Sequence, residues 1–119
     1  MNEIGLFDVN FDTGKCYWSF ELKRMLGIRH DVPAEFHLLL QRIHPDDRRT
    51  FGRNAMQPFR CDCPRHSSID FRVMYDNGRV QWLHMERRAI VREDDTNDVV
   101  RIVGFALEIG APARLSRAA

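Results

Sequence analysis

Lysine is nearly missing from this chain. Lys15 and Lys23 are the only two, so arginine supplies almost all of the 18 positive charges set against 17 acidic residues. The net charge of +1 lacks the basic excess of a dedicated nucleic-acid binder, and Arg48, Arg49 and Arg53 stand beside Asp46 and Asp47. Long apolar runs are missing too: none approaches the roughly 20 residues that cross a bilayer as a helix. Residues 1–5 show neither the basic start nor the apolar stretch of a signal peptide. The three cysteines Cys16, Cys61 and Cys63 cannot all pair within one chain, and a reducing cytoplasm is the expected setting. No nucleophile motif, glycine-rich phosphate loop or metal pair occurs, so the chain is not expected to be an enzyme.

What is present suits one globular domain. The 119 residues are 44% hydrophobic and 29% charged, which argues against disorder, and a domain of this size buries roughly two thirds of its unfolded surface. Residues 4–11 read as a strand, Asp12-Thr13-Gly14 as a turn and residues 15–18 as a second strand. Ser19 is placed to cap a short helix that buries Leu22 and Leu26 and stops at Gly27. Pro33 opens a second helix whose stripe is Phe36, Leu39, Leu40 and Ile43, and His44-Pro45 ends it. Pro45 starts a third helix running towards Met56, with Asp46 and Asp47 at its positive end. Residues 59–68 read as a loop. Strands follow over 68–75, over 79–91 after the turn Asp76-Asn77-Gly78, and over 99–109 after a polar loop at 93–98. The simplest packing is an α+β domain, a five-stranded antiparallel sheet with the helices on one face. The folded part spans 1–110, with 111–119 a short tail.

That order resembles the PAS domain, and within it the group carrying a His-Pro-Asp-Asp motif. The resemblance rests on Gly5 and Phe7, Asp12-Thr13-Gly14, Trp18-Ser19, Leu22, Leu26 and Gly27. It continues through Ile43-His44-Pro45-Asp46-Asp47-Arg48, Phe71-Arg72-Val73, Asp76-Asn77-Gly78, Val80-Gln81-Trp82-Leu83 and residues 104–109. The resemblance implies strand order 2-1-5-4-3, with helices enclosing a pocket on the inner face. It also implies a sensory or interaction module of a bacterial-type signalling system, often dimeric and joined to a kinase, a cyclic-dinucleotide enzyme or a transcription factor. Some such domains bind haem, flavin or small organic ligands, and the cofactor here stays unknown. The light-sensing form needs a cysteine on the second helix, and residues 34–43 contain none. Asn10 replaces the usual aspartate, and the closing Asp-Ile-Thr reads Glu108-Ile109-Gly110. With nine residues after it, the chain is expected either to work alone or to be an excised piece.

The hairpin at Gly78 decides which residues face the pocket. A two-residue turn would put Val73 with Trp82; a three-residue turn with Gly78 left-handed puts Ile69, Phe71 and Val73 with Gln81, Leu83 and Met85. The second register gives the cleaner apolar face. With Ile102, Gly104 and Ala106 it would meet Phe36, Leu40 and Phe51, and the small residues could leave space for a ligand, unless the face simply packs. The outer face gathers Val80, Trp82, Phe105 and Leu107, the expected surface for a homodimer or a signalling effector. His44, Pro45, Asp46 and Asp47 read as a helix-capping motif, with Arg48 available to pair either aspartate. His30, His37 and His44 recur every seven residues, about 10.5 Å apart on a helix, too far to share one metal. His37 stays the outside candidate for a haem ligand. Cys61, Cys63 and His66 lack zinc-type spacing. The competing reading is a small α+β enzyme, isomerase or hydrolase in type, using the same pocket.

Overall fold

Asn10 opens the first turn: its Oδ1 accepts the backbone N–H groups of Asp12 and Thr13 at 2.9 and 3.1 Å. Gly14 closes it with φ +74°. An amide oxygen does this as well as a carboxylate, so the departure from aspartate leaves the turn intact. The turn joins β1 (Gly5–Asn10) to β2 (Lys15–Trp18). The computed structural model describes residues 3–60 and 65–112.

The chain then runs through α1 (Phe20–Met25), α2 (Phe36–Arg42) and α3 (Arg48–Met56) into β3 (His66–Met74), β4 (Val80–Arg92) and β5 (Asp95–Ile109). The five strands form one antiparallel sheet in the order β2-β1-β5-β4-β3. Ser19 caps α1, its hydroxyl accepting from Leu22 N at 3.2 Å and from Leu6 N at 2.8 Å. Gly27 follows with φ +71°, a conformation that ends a helix cheaply only at glycine. α1 lies directly on β1: a Cβ on Gly5 would come 2.9 Å from Leu22 Cα.

Gly78 is left-handed at φ +83°, and β3 pairs with β4 as Ile69↔Met85, Phe71↔Leu83 and Val73↔Gln81. The three-residue-turn register is the observed one. Phe71, Val73 and Leu83 are fully buried beneath the helices, and truncation of such a phenylalanine costs about 3–5 kcal/mol.

Four boundaries differ from the sequence reading. Pro33 does not open a helix, because Glu35 is still extended (φ −146°, ψ 142°) and α2 begins at Phe36. Pro45 starts a single 3-10 turn, Pro45–Asp47, and α3 follows from Arg48. β3 begins at His66, within the expected loop. Residues 93–98 are not a loop: β4 and β5 extend past the body as a two-stranded arm joined at Glu93 and Asp94. Both faces of that arm meet water, so its strands carry no apolar alternation to read. Arg92 holds it with Asp98 at 2.7 Å and Asp12 at 2.8 Å.

Candidate functional site

Beyond Met85 the odd-numbered residues of β4 keep facing inward, with Arg87 and Ala89 buried. A cavity of about 300 Å³ opens there. Val9 of β1, Cys16 of β2 and Ile102 of β5 floor it beside Met85. Leu39 of α2 and Phe51 and Ala55 of α3 roof it. Its mouth is rimmed by Phe11, Phe36, Met56 and Phe59, all exposed, with the Phe11 and Phe59 rings edge to face at 5.3 Å. Four large apolar side chains at one opening resemble the entrance of a small-molecule site more than a solvated surface. Burial also pushes the Cys16 thiol up, helped by the negative charge of Asp8, so the thiol lining this cavity is a weak nucleophile.

One lining group is a charge. Arg87 is only 6% exposed, and its Nη2 donates to Asn54 O at 2.7 Å, to Ser67 Oγ at 3.0 Å and to Asn54 Oδ1. Its Nε has no partner among the described residues. No carboxylate lies within ion-pair distance of it among the described residues. Burial alone pushes the guanidinium down from its ordinary value. Sequence reasoning missed Arg87, although the alternation that placed Leu83 and Met85 inward carries it there two residues later.

Of the pocket residues expected from sequence, Phe36, Phe51, Met85 and Ile102 meet at this cavity; Leu40, Ile69, Phe71, Val73, Gln81, Leu83, Gly104 and Ala106 do not line it. Their half of the inner face is packed solid. Phe51 stacks edge to face on Phe71 at 4.8 Å, and Ile43 bridges to Val73. Gly104 leaves no space for a ligand, because the Phe7 ring lies over it. Gln81 is used locally, its Nε2 donating to Trp82 O and Ile109 O, each at 3.0 Å. Phe7, Val9, Phe11, Cys16, Leu39, Ala55, Met56 and Phe59 line the cavity instead. They come from elements whose approach is set by packing, which periodicity does not report.

On the outer face Val80 is exposed and Trp82, Phe105 and Leu107 are half-buried. The register aligns Leu107 with His84, and Phe105 with both Leu6 and Glu86. The apolar stripe therefore runs along β5 and β1, and on β4 it is interrupted by charge. His84 Nδ1 meets Asp70 Oδ1 at 2.6 Å and Nε2 meets Glu86 Oε2 at 2.9 Å, while Glu86 also holds His66 at 3.0 Å. The hydrogen bonds to Glu86 and Asp70 raise the His84 imidazole above its ordinary value.

His44, Pro45, Asp46 and Asp47 fasten the helices to the edge strand. His44 Nδ1 accepts from Asp46 N at 3.1 Å, and His44 N donates to Arg72 O at 2.8 Å. Asp47 Oδ2 accepts from Arg72 N at 2.8 Å and Nε at 3.0 Å, and Oδ1 from Nη2 at 2.7 Å. Burial pushes the Asp47 carboxyl up, but the bonds from Arg72 outweigh it and hold it below the usual aspartate range. Arg48 pairs with neither aspartate; it donates to the carbonyls of Ile43 and Gln41 at 2.9 and 3.2 Å, the unsatisfied end of α2. His37 is exposed beside Glu35 at 3.2 Å, away from the cavity. Cys61 and Cys63 lie outside the described residues, as does most of the expected tail.

Comparison with known proteins places this geometry in context. A family model described as the PAS fold matches residues 15–106. The chain is 29% identical over 108 residues to the sensor protein FixL of Bradyrhizobium diazoefficiens, covering 89% of this chain and 20% of that protein. It is 29% identical over 91 residues to a blue-light-activated histidine kinase of Brucella ovis, covering 76% and 18%. The chain thus spans about a fifth of the length of these curated relatives. Among solved structures, a sensory box histidine kinase/response regulator from Burkholderia thailandensis superposes with TM-score 0.70 at 25% identity, over 97% of this chain and 83% of that one. The N-terminal domain of a diguanylate cyclase with PAS/PAC sensor from Marinobacter aquaeolei gives TM-score 0.74 at 16% identity, over 89% and 94%.

Proposed function

The chain belongs to the PAS fold family, and from that premise we propose that it is the ligand-sensing input domain of a signalling protein. A small apolar molecule in the cavity between the sheet and α2–α3 shifts those helices, and the outer sheet face passes the shift to a second copy or to an effector domain. The relatives named as histidine kinases and as a diguanylate cyclase sensor support an effector of kinase or cyclic-dinucleotide type, and a place in a two-component system. The Asp47–Arg72 clamp supports assignment to the group with the His-Pro-Asp-Asp turn. No helix among the described residues is long and apolar enough to cross a membrane, and the cytoplasm is the setting we propose. Residues 1–110 form the sensing unit and 111–119 its exit.

The observation that carries this reading is the 300 Å³ cavity with its exposed aromatic mouth. A ligand shifts a conformational equilibrium only if it binds one state better. A site lying between the fixed sheet and the helical layer meets that condition whenever the helices move. Native mass spectrometry of the purified chain, beside its denatured mass, tests the reading. Additional mass lost on denaturation is the expected result. A bare chain that stays bare after incubation with a library of small apolar molecules overturns it.

A further inference from the structure

Arg87 and the cavity it lines point to the chemistry of the ligand. Every described polar contact of Arg87 leaves through one nitrogen, Nη2, to a backbone carbonyl, an amide oxygen and a hydroxyl. All three acceptors are neutral. They satisfy a donor but leave the charge itself uncompensated, and a guanidinium on a side chain only 6% exposed keeps little of the water that would otherwise solvate it. Among the described residues its buried Nε has no partner, and the same side chain lines the apolar cavity. Elsewhere among the described residues, arginines such as Arg72, Arg92 and Arg101 have aspartate partners. Arg87 is the buried arginine among the described residues, and its surroundings there supply a cavity in place of an acid.

We propose that the cavity takes an organic acid of about ten non-hydrogen atoms, its carboxylate received by the Arg87 guanidinium and its apolar body lying between Met85, Ile102, Phe51 and Ala55. This rests on the sensing reading above and adds the charge and size of the ligand. The size follows from the 300 Å³ volume at about 30 Å³ per non-hydrogen atom, the share of a water molecule in the liquid. The charge follows from a cation with no acid partner among the described residues, since a neutral ligand would leave the guanidinium without a counter-ion. A carboxylate supplies that counter-ion through charge-assisted hydrogen bonds. The apolar mouth of Phe11, Phe36, Met56 and Phe59 favours entry tail first or ring first over entry of a small hydrophilic acid.

Calorimetric titration of the whole chain at neutral pH with octanoate, octanamide, 3-phenylpropanoate and 3-phenylpropanamide tests this. Each acid is expected to bind at least tenfold tighter than its amide. Arg87→Met should abolish that preference, bringing each acid to within about twofold of its amide, with an unchanged circular dichroism spectrum. Should Arg87→Met fail to fold, Arg87→Gln gives the same reading, because it removes the charge and keeps a donor. Ala55→Phe, which fills the cavity from α3, should abolish binding of acids and amides alike. Equal affinity for acid and amide overturns the proposal and leaves the sensing reading standing. Acid preference that survives Arg87→Met or Arg87→Gln overturns it too, as does binding that survives Ala55→Phe. Binding of none of the four compounds overturns the proposal, while the search with uncharged molecules described above decides the broader reading separately.

Discussion

Gly104 sits where a ring and two backbones meet. A Cβ there would overlap the Glu86 carbonyl oxygen of the neighbouring strand and come within 2.5 Å of Phe7 Cζ. The Phe7 ring can swing, but the β4 backbone cannot yield without disturbing its ladder to β5. Gly104→Ala is therefore expected to destabilise the domain by about 3 kcal/mol, near the upper end for overpacking. Urea denaturation measures it, and an unmoved midpoint would show that the sheet relaxes around the methyl group. The same residue shows why a small side chain in a core strand is weak evidence for a ligand: the space it concedes has been taken by a neighbour. Arg87 is the opposite case, a large polar side chain at an inward position, held by Asn54 and Ser67 and incomplete without something more.

At the scale of elements, the turn Pro45–Asp47 fastens the helical layer to β3, an edge strand of the sheet. Asp47 accepts the backbone N–H of Arg72 as well as its side chain, so it also covers a donor that an exposed edge would offer to another strand. Arg72 in turn packs over the Trp82 ring at 5.3 Å, which connects the turn to the outer face. Asp47→Ala is expected to cost about 2 kcal/mol, the scale of charge-assisted hydrogen bonds lost with one partner left behind. Because the folded carboxyl titrates below the usual aspartate range, its contribution is complete above that range. It disappears as pH falls through the lowered value. Denaturation of wild type and variant at about pH 7 and about pH 3 should show the gap at neutral pH and its closing in acid; a constant gap would exclude the carboxylate charge as its source.

For the whole molecule, the two faces of one sheet differ in what covers them. The inner face is a sealed core over one half and a cavity over the other. The outer face is open, with its apolar stripe on β5 and β1 beside the His84 cluster of β4. Trp82→Arg is expected to weaken self-association at least tenfold without loss of folded structure, the effect of placing a charge in a buried interface centre. Sedimentation over a range of concentrations checks this. A dimer of unchanged affinity would move the docking surface away from β4, towards Leu6, Phe105 and Leu107.

The sequence by itself determined the element order, favoured the observed register of the β3–β4 hairpin and placed the cap of α1. Each of these is written in a few neighbouring residues: Asn10 and Gly14, Ser19 and Gly27, Asp76-Asn77-Gly78. Period-two alternation then assigned Ile69, Phe71, Val73, Leu83 and Met85 to one face, because one strand's geometry suffices for that. Which part of that face is filled was left to the tertiary structure. The answer depends on how far Phe7, Ile43 and Phe51 reach across from other elements, and no local period records such distances. The fate of Arg87 was decided in the same way. Its inward direction followed from alternation, but the lack of an acid beside it among the described residues became visible only once α3 and β3 were folded around it.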